Sequence, residues 1–121
     1  MSVYRPTFQE RKTFGDRKRM SADCMRTHVG KLPVIIERFP SEKNLPLMER
    51  CQFLVEEYAT FAEVVSIIRK RLQLTSEQSI VLFANETTIP SSMGTVNHFY
   101  QQYKHEDGFL YLTYATQSYF G

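Results

Sequence analysis

A glycine at the end of a chain offers one kind of chemistry better than any other residue. With no Cβ, its backbone can thread a narrow channel and present a bare carboxylate to be activated and joined to something. This chain closes on Thr116-Gln117-Ser118-Tyr119-Phe120-Gly121, a stretch with three polar side chains and no strong pattern, so it reads as a tail rather than core. A chain that merely stops at glycine would look the same, so the rest of the sequence has to decide.

The other reactive residue types are poorly arranged for catalysis. His28, His98 and His105 lack metal-ligand spacing, and no H-E-x-x-H, G-x-x-x-x-G-K or G-x-S-x-G motif is present. Cys24 and Cys51 have neither C-x-x-C spacing nor enough partners for a disulfide framework, so buried free thiols are expected. A thiol hydrolase built on Cys51 is disfavoured, because Cys51 alternates in phase with Phe53 and Val55 and should point into packing. No enzyme, cofactor or metal is expected.

Charge is informative only locally. The net charge is +2, but Arg5, Arg11, Lys12, Arg17, Lys18, Arg19 and Arg26 crowd the first quarter against Glu10, Asp16 and Asp23. That composition suits either a solvated helix face or a basic face for acidic peptides, tubulin-like tails, phosphates or a membrane surface. Nucleic acid is not expected as a partner, since aromatic and basic residues do not interleave.

The elements that must position these residues are legible from period and punctuation. Thr7-Phe8-Gln9-Glu10 has capping-box spacing and Thr13-Phe14-Gly15-Asp16 repeats it weakly, which predicts two short helices, the second over about Phe14 to Arg26. In that second helix Met20, Cys24 and Met25 are the only apolar candidates for core contact. After Gly30, Leu32 to Phe39 reads as a strand, with Pro33 near its start where no ladder bond is needed. Pro40 to Asn44 reads as a loop, and Cys51 to Val55 as a second strand with Gln52 and Leu54 on the opposite face from Phe53 and Val55. Thr60-Phe61-Ala62-Glu63 caps a helix with Phe61, Val64, Val65, Ile68 and Leu72 at helical spacing, closed by Arg69-Lys70-Arg71. Ile80 to Ala84 is a third strand; Val96, Phe99, Tyr100 and Tyr103 mark a short helix. Asp107-Gly108 then launches the run Phe109 to Ala115, apolar enough to require cover on both faces.

At 121 residues, with 42% hydrophobic and 23% charged residues, the chain fits one ordinary globular domain. Its longest fully apolar run, Ile80 to Ala84, is far short of the roughly 20 residues a membrane helix needs, so a soluble, cytoplasmic protein is expected. Two helices followed by β-β-α-β-α-β are most compact with the last strand parallel to the first, reached by a right-handed crossover. The fold class expected is therefore α+β: a ubiquitin-like β-grasp with a four-stranded mixed sheet and two additional N-terminal helices. The expected organisation is an N-terminal helical extension over 1–30, a ubiquitin-like domain over 31–115 and a conjugation tail over 116–121.

Against that background, Lys31 to Phe39, Arg69-Lys70-Arg71-Leu72-Gln73-Leu74, Glu106-Asp107-Gly108-Phe109-Leu110-Tyr111 and the closing Phe120-Gly121 carry a family resemblance. From Thr7 to Gly121 the chain resembles the autophagy ubiquitin-like modifiers, the microtubule-associated protein light chains and the GABA-receptor-associated protein. The resemblance implies conjugation of Gly121 to phosphatidylethanolamine on autophagosomal membranes. It also implies as partners an E1-like and an E2-like enzyme and a cysteine protease for processing or delipidation. It further implies docking of autophagy receptors through short aromatic-x-x-aliphatic motifs that add as a strand to the edge of strand two. Matched residue by residue, one pocket would be lined by Cys24, Pro33, Ile35, Leu54 and Phe109, and a second by Phe53, Val55, Val64, Ile67 and Arg71. Arg11, Lys12, Lys31 and Arg50 would attract acidic residues flanking the motif, and Arg11, Lys12 and Arg17 would form a basic face for partners such as tubulin. The alternative is a trafficking or microtubule-associated adaptor that uses the same pockets without conjugation. The chain departs from the family pattern at Arg19 and Met20 in the second helix, at Gln52 on the pocket rim and at Glu56 after strand two. Those departures imply a shifted peptide preference.

Overall fold

The computed structural model of the chain describes residues 5–85 and 87–117. Eight elements follow one another: α1 (Phe8–Arg11), α2 (Phe14–Thr27), β1 (Lys31–Arg38), β2 (Gln52–Glu56), α3 (Phe61–Leu72), β3 (Ile80–Ala84), α4 (Val96–Tyr103) and β4 (Leu110–Thr116). The strands form one mixed sheet in the order β2-β1-β4-β3. β1 pairs antiparallel with β2 and parallel with β4, in a register that sets Ile36 beside Leu112. β3 closes the far side antiparallel to β4. The predicted β-grasp topology is the one observed.

Strand position explains strand composition. β1 and β4 lie in the middle with a layer on each face, and β1 buries five consecutive residues, Leu32 to Ile36. Pro33 is tolerated there for a specific reason. The Ile36 N–H donates to Cys51 O at 2.8 Å, so by the period of two the missing N–H of Pro33 faces β4. Pairing with β4 begins only at Val34.

One face is covered by α3, which opens on a capping box at Thr60 and Glu63 and buries Phe61, Val64 and Ile68. These pack against Leu32, Val34, Ile36, Leu82, Leu110, Leu112 and Tyr114 in the main core. Gln73 ends the helix in the left-handed conformation at φ 54°, and the cations Arg69, Lys70 and Arg71 fill its last turn.

The other face is covered by α1 and α2, with a smaller cluster of Phe8, Ile35, Cys51 and Phe109. Here α2 differs from expectation. Its buried residues are Arg17 and Ser21; Met20 packs on the cluster from its margin, Cys24 is half-buried, and Met25 is 42% exposed. The reason is a polar latch. Arg17 Nη1 donates to Asp107 Oδ2 at 2.6 Å, and Tyr111 donates to the same oxygen at 2.5 Å. Asp107 Oδ1 accepts the Phe109 N–H at 2.9 Å, and Ser21 Oγ donates to Asp107 O. Arg17 is 8% exposed and Asp107 is 0% exposed. Gly108 makes the seating possible: it turns at φ +93°, and a Cβ there would lie 2.3 Å from Ser21 Oγ.

Cys51 is buried, as expected, but in the cluster beneath α1 and α2 rather than with Phe53 and Val55. It precedes the regular ladder, which starts at Gln52, so strand alternation does not govern its side chain.

Candidate functional site

α2 and β2 bound an open groove of about 520 Å³, lined by Arg11, Cys24, Glu49, Arg50, Cys51, Gln52, Phe53, Leu54 and Phe109. The local sequence builds it simply. Gln52 and Leu54 stand on one face of β2, paired in register with Ile35 and Pro33 of β1. α2 passes above and contributes Cys24. Ile35, Pro33 and Phe109 are closed off beneath, while Leu54 is left 38% exposed. Of the five residues assigned to the first pocket, Cys24, Leu54 and Phe109 line the groove, whereas Pro33 and Ile35 are buried and do not reach it. Beside the groove, β2 terminates the sheet, so among the described residues its outward backbone groups have no strand partner.

The second set of residues is less open. Val55 and Val64 belong to the main core, which corrects any expectation that they face a ligand directly. What reaches the surface is Ile67, exposed on α3, and Phe53, whose half-buried ring lies 5.2 Å from the Arg71 guanidinium. That cation sits over the aromatic face as a cover.

The basic residues separate into two classes. Arg11, Lys12, Lys31 and Arg50 are exposed, and Arg11 and Arg50 stand on the groove rim. Arg11 also donates to Cys51 Sγ at 3.5 Å, and Lys31 approaches Glu56 at 3.8 Å. Arg17 does not belong with them. It is consumed by Asp107, and although burial disfavours its charge, the bonds to Tyr111 and Asp107 outweigh that cost. The assignment of Arg17 to a partner-binding face is therefore corrected. Burial raises both thiols, Cys24 further through Asp23 and Cys51 through Glu37 against Arg11. Both shifts run away from the thiolate form.

Sequence reasoning missed Glu49 and Cys51 as groove residues. Glu49 stood in plain view before the second strand, but an acidic rim residue carried no motif. It also missed Glu42, read within a loop. Glu42 is 1% exposed, and its Oε1 accepts the N–H of Thr116 at 2.7 Å and the hydroxyl of the same residue at 3.1 Å. This is where the tail leaves the sheet. Gly121, the residue assigned to conjugation, lies outside the described residues. Among the described residues no helix is long and apolar enough to cross a membrane.

Comparison with known proteins gives these features a context. The profile of the family described as "Autophagy protein Atg8 ubiquitin like" matches residues 16–121. The chain is 43% identical over 116 residues to Protein lgg-2 of Caenorhabditis elegans, covering 96% of this chain and 89% of that protein. It is 37% identical over 114 residues to human microtubule-associated protein 1 light chain 3 gamma, covering 94% and 78% respectively. The crystal structure of Trypanosoma brucei ATG8 superposes with a TM-score of 0.85 at 33% identity, covering 94% of this chain and 97% of that one.

Proposed function

The chain belongs to the Atg8 family of autophagy ubiquitin-like proteins, and from that membership we propose that it is a membrane-conjugated modifier that recruits receptors through its α2/β2 groove. In this reading the carboxylate of Gly121 is activated by an E1-like enzyme, passed as a thioester to an E2-like enzyme and joined to the amine of phosphatidylethanolamine. A cysteine protease trims or releases it. The chain itself supplies a substrate rather than a catalyst, in keeping with two buried or half-buried thiols of raised pKa. Two acyl chains anchor a protein stably where one is marginal, so a cytoplasmic domain would become resident on autophagosomal membranes.

The observation that supports the recruiting half is the coincidence of the groove with the outer edge of β2, the last strand of the sheet among the described residues. A receptor segment adding to that edge gains main-chain hydrogen bonds, and its alternate side chains fall on one face. An aromatic residue would enter between Cys24 and Leu54 over Phe109, behind which Ile35 is packed. An aliphatic residue three positions on would displace Arg71 from Phe53 and rest on Ile67. Arg11 and Arg50 favour an acidic flank, while Glu49 opposes one, so charge there tunes on-rate and selectivity. Gln52 in place of a cation weakens the demand for acid beside the aromatic. A peptide panel ranking receptors as typical relatives do would refute that shift.

The function is tested by reconstitution with the E1-like and E2-like enzymes, ATP and phosphatidylethanolamine liposomes. A mobility shift and co-flotation that vanish when Gly121 is deleted establish the modifier. No shift under conditions that lipidate a relative leaves a non-conjugated adaptor using the same groove.

A further inference from the structure

We propose that Glu42 is a positioning residue for the chemistry at the terminal glycine: its buried carboxylate clasps the root of the tail at Thr116 and fixes the point and direction from which the tail departs. The inference rests on the function proposed above.

The clasp is built from the sequence outward. β1 ends at Arg38, and the Phe39 N–H donates to Tyr114 O at 2.8 Å, carrying the parallel pairing one residue further. Pro40 then occupies the second position of a four-residue turn closed by the Glu42 N–H to Phe39 O at 2.9 Å, a position whose φ proline presets. The turn swings Glu42 back over the end of β4. There Oε1 takes both the N–H and the hydroxyl of Thr116, while Oε2 takes the Asn44 N–H at 2.7 Å. Burial alone would raise this carboxyl, yet the N–H groups of Thr116, Asn44 and Leu45 and the Thr116 hydroxyl outweigh it and hold it below the ordinary range. From the other side, the Gln117 N–H donates to Ser79 O at 3.1 Å. The last two described residues are therefore held by two different segments, one entering from the β1–β2 connection and one from the approach to β3.

A buried ionised carboxylate is a costly way to end a strand, since another backbone carbonyl would satisfy the Thr116 N–H without a charge. What the carboxylate adds is rigidity, because charge-assisted bonds are about twice as strong as neutral ones. Beyond Gln117 the four residues to Gly121 reach at most about 14 Å. An enzyme that grips the folded domain must meet the carboxylate within that reach. In the first step one oxygen of the Gly121 carboxylate bonds to the α-phosphorus of ATP as the bond to the β-phosphate oxygen breaks and pyrophosphate leaves. The enzyme thiol then displaces AMP, giving up its proton to solvent and forming the thioester. If the root frays, the domain docks as before, but the carboxylate samples a larger volume and its effective concentration at the phosphorus falls.

The test compares Glu42→Gln, which keeps the volume but turns an N–H donor toward one of the donors it faces, with Thr60→Ala, which removes the α3 cap far from the tail. With the E1-like enzyme and ATP, E42Q should lower kcat for thioester formation about three- to tenfold while KM for the domain stays within about twofold. T60A should change neither, although it destabilises the fold. E42Q should also speed amide exchange at Thr116 and Gln117 while leaving Leu112 protected, and should leave receptor-peptide affinity unaltered. Glu42→Asp, which keeps the charge, should recover part of kcat. Equal kcat for wild type and E42Q, or equal losses in E42Q and T60A, would overturn the inference and leave the proposed function standing. A wild-type chain that forms no thioester overturns the proposed function and the positioning role together, even if E42Q still loosens the Thr116 amide.

Discussion

The two faces of the sheet are sealed by different physics. Under α3 the seal is area: Phe61, Val64 and Ile68 interdigitate with alternate residues of all the strands, a non-directional contact that tolerates volume-conserving exchange. Under α1 and α2 the apolar cluster is small, and the seal is a set of directed bonds converging on Asp107. A buried ion pair contributes little net stability compared with an apolar replacement, but losing one partner strands the other. The ubiquitin-like face is thus held by bulk, and the added helical face by geometry. The groove lies on the geometric side, so its width depends on how α2 is seated.

Four kinds of change sharpen or break this contrast. Phe61→Ala should cost about 4 kcal/mol, lowering the denaturation midpoint as one cooperative transition. Asp107→Ala should cost about 3 kcal/mol, and a cycle with Arg17→Ala should show a coupling of about 0.5–3 kcal/mol; additive single effects would mean that the latch is not a unit. Gly108→Ala meets Ser21 Oγ and forces a positive φ, so about 2 kcal/mol is expected, with accelerated exchange in α2 and weakened peptide binding. The caps come next. Thr60→Ala and Thr7→Ala should each cost about 1 kcal/mol locally, but only the first should lower global stability, because α1 spans four residues.

The smallest effect is on pH dependence, and its sign differs between two carboxylates. Burial raises Glu37 above its ordinary 4.5, against the hydrogen bond from the Phe8 N–H. Its contribution is therefore most favourable below 4.5 and is lost as pH rises through the higher folded value. Glu42 is held below 4.5, so the stability it supplies is complete above 4.5 and is lost as pH falls through the lower folded value. Glu37→Gln should flatten the decline on the mildly acidic side, and E42Q should flatten the acid limb. Identical pH profiles for wild type and both variants would contradict the two assignments.

Most of the architecture was legible because each element carried its own punctuation. The Thr7 and Thr60 capping boxes form as their spacing predicts, and the period of Phe61, Val64 and Ile68 places α3 on the sheet. The apolar run after Gly108 correctly implied a central strand. Family likeness supplied what periodicity could not, namely the convergence of Cys24, Leu54 and Phe109 on one groove. The failures share a cause. Arg17, Glu42 and Asp107 are polar residues buried by partners far away in sequence, separated by 90 positions in the case of Arg17 and Asp107. No local pattern distinguishes a charge that will be buried from one that will be solvated, so from sequence Arg17 reads as one more cation of the basic face. Cys51 failed differently, through a phase read one residue beyond the ladder.

One detail of the sheet bears on how such molecules crowd together. At the end of β3 the chain doubles back: the Ala84 N–H donates to Thr88 O at 2.6 Å and the Thr88 N–H to Ala84 O at 3.0 Å. The outward groups of Ala84 are thereby occupied, and the far margin of the sheet is shortened, whereas among the described residues no strand pairs with the outer edge of β2. In the language of polymer growth, the two margins are unequal functional groups. A bifunctional monomer, with two equal margins, could propagate into a ribbon when many copies share one surface. With unequal margins, an incoming segment meets fewer occupied backbone groups at β2 than at the Ala84 end of β3.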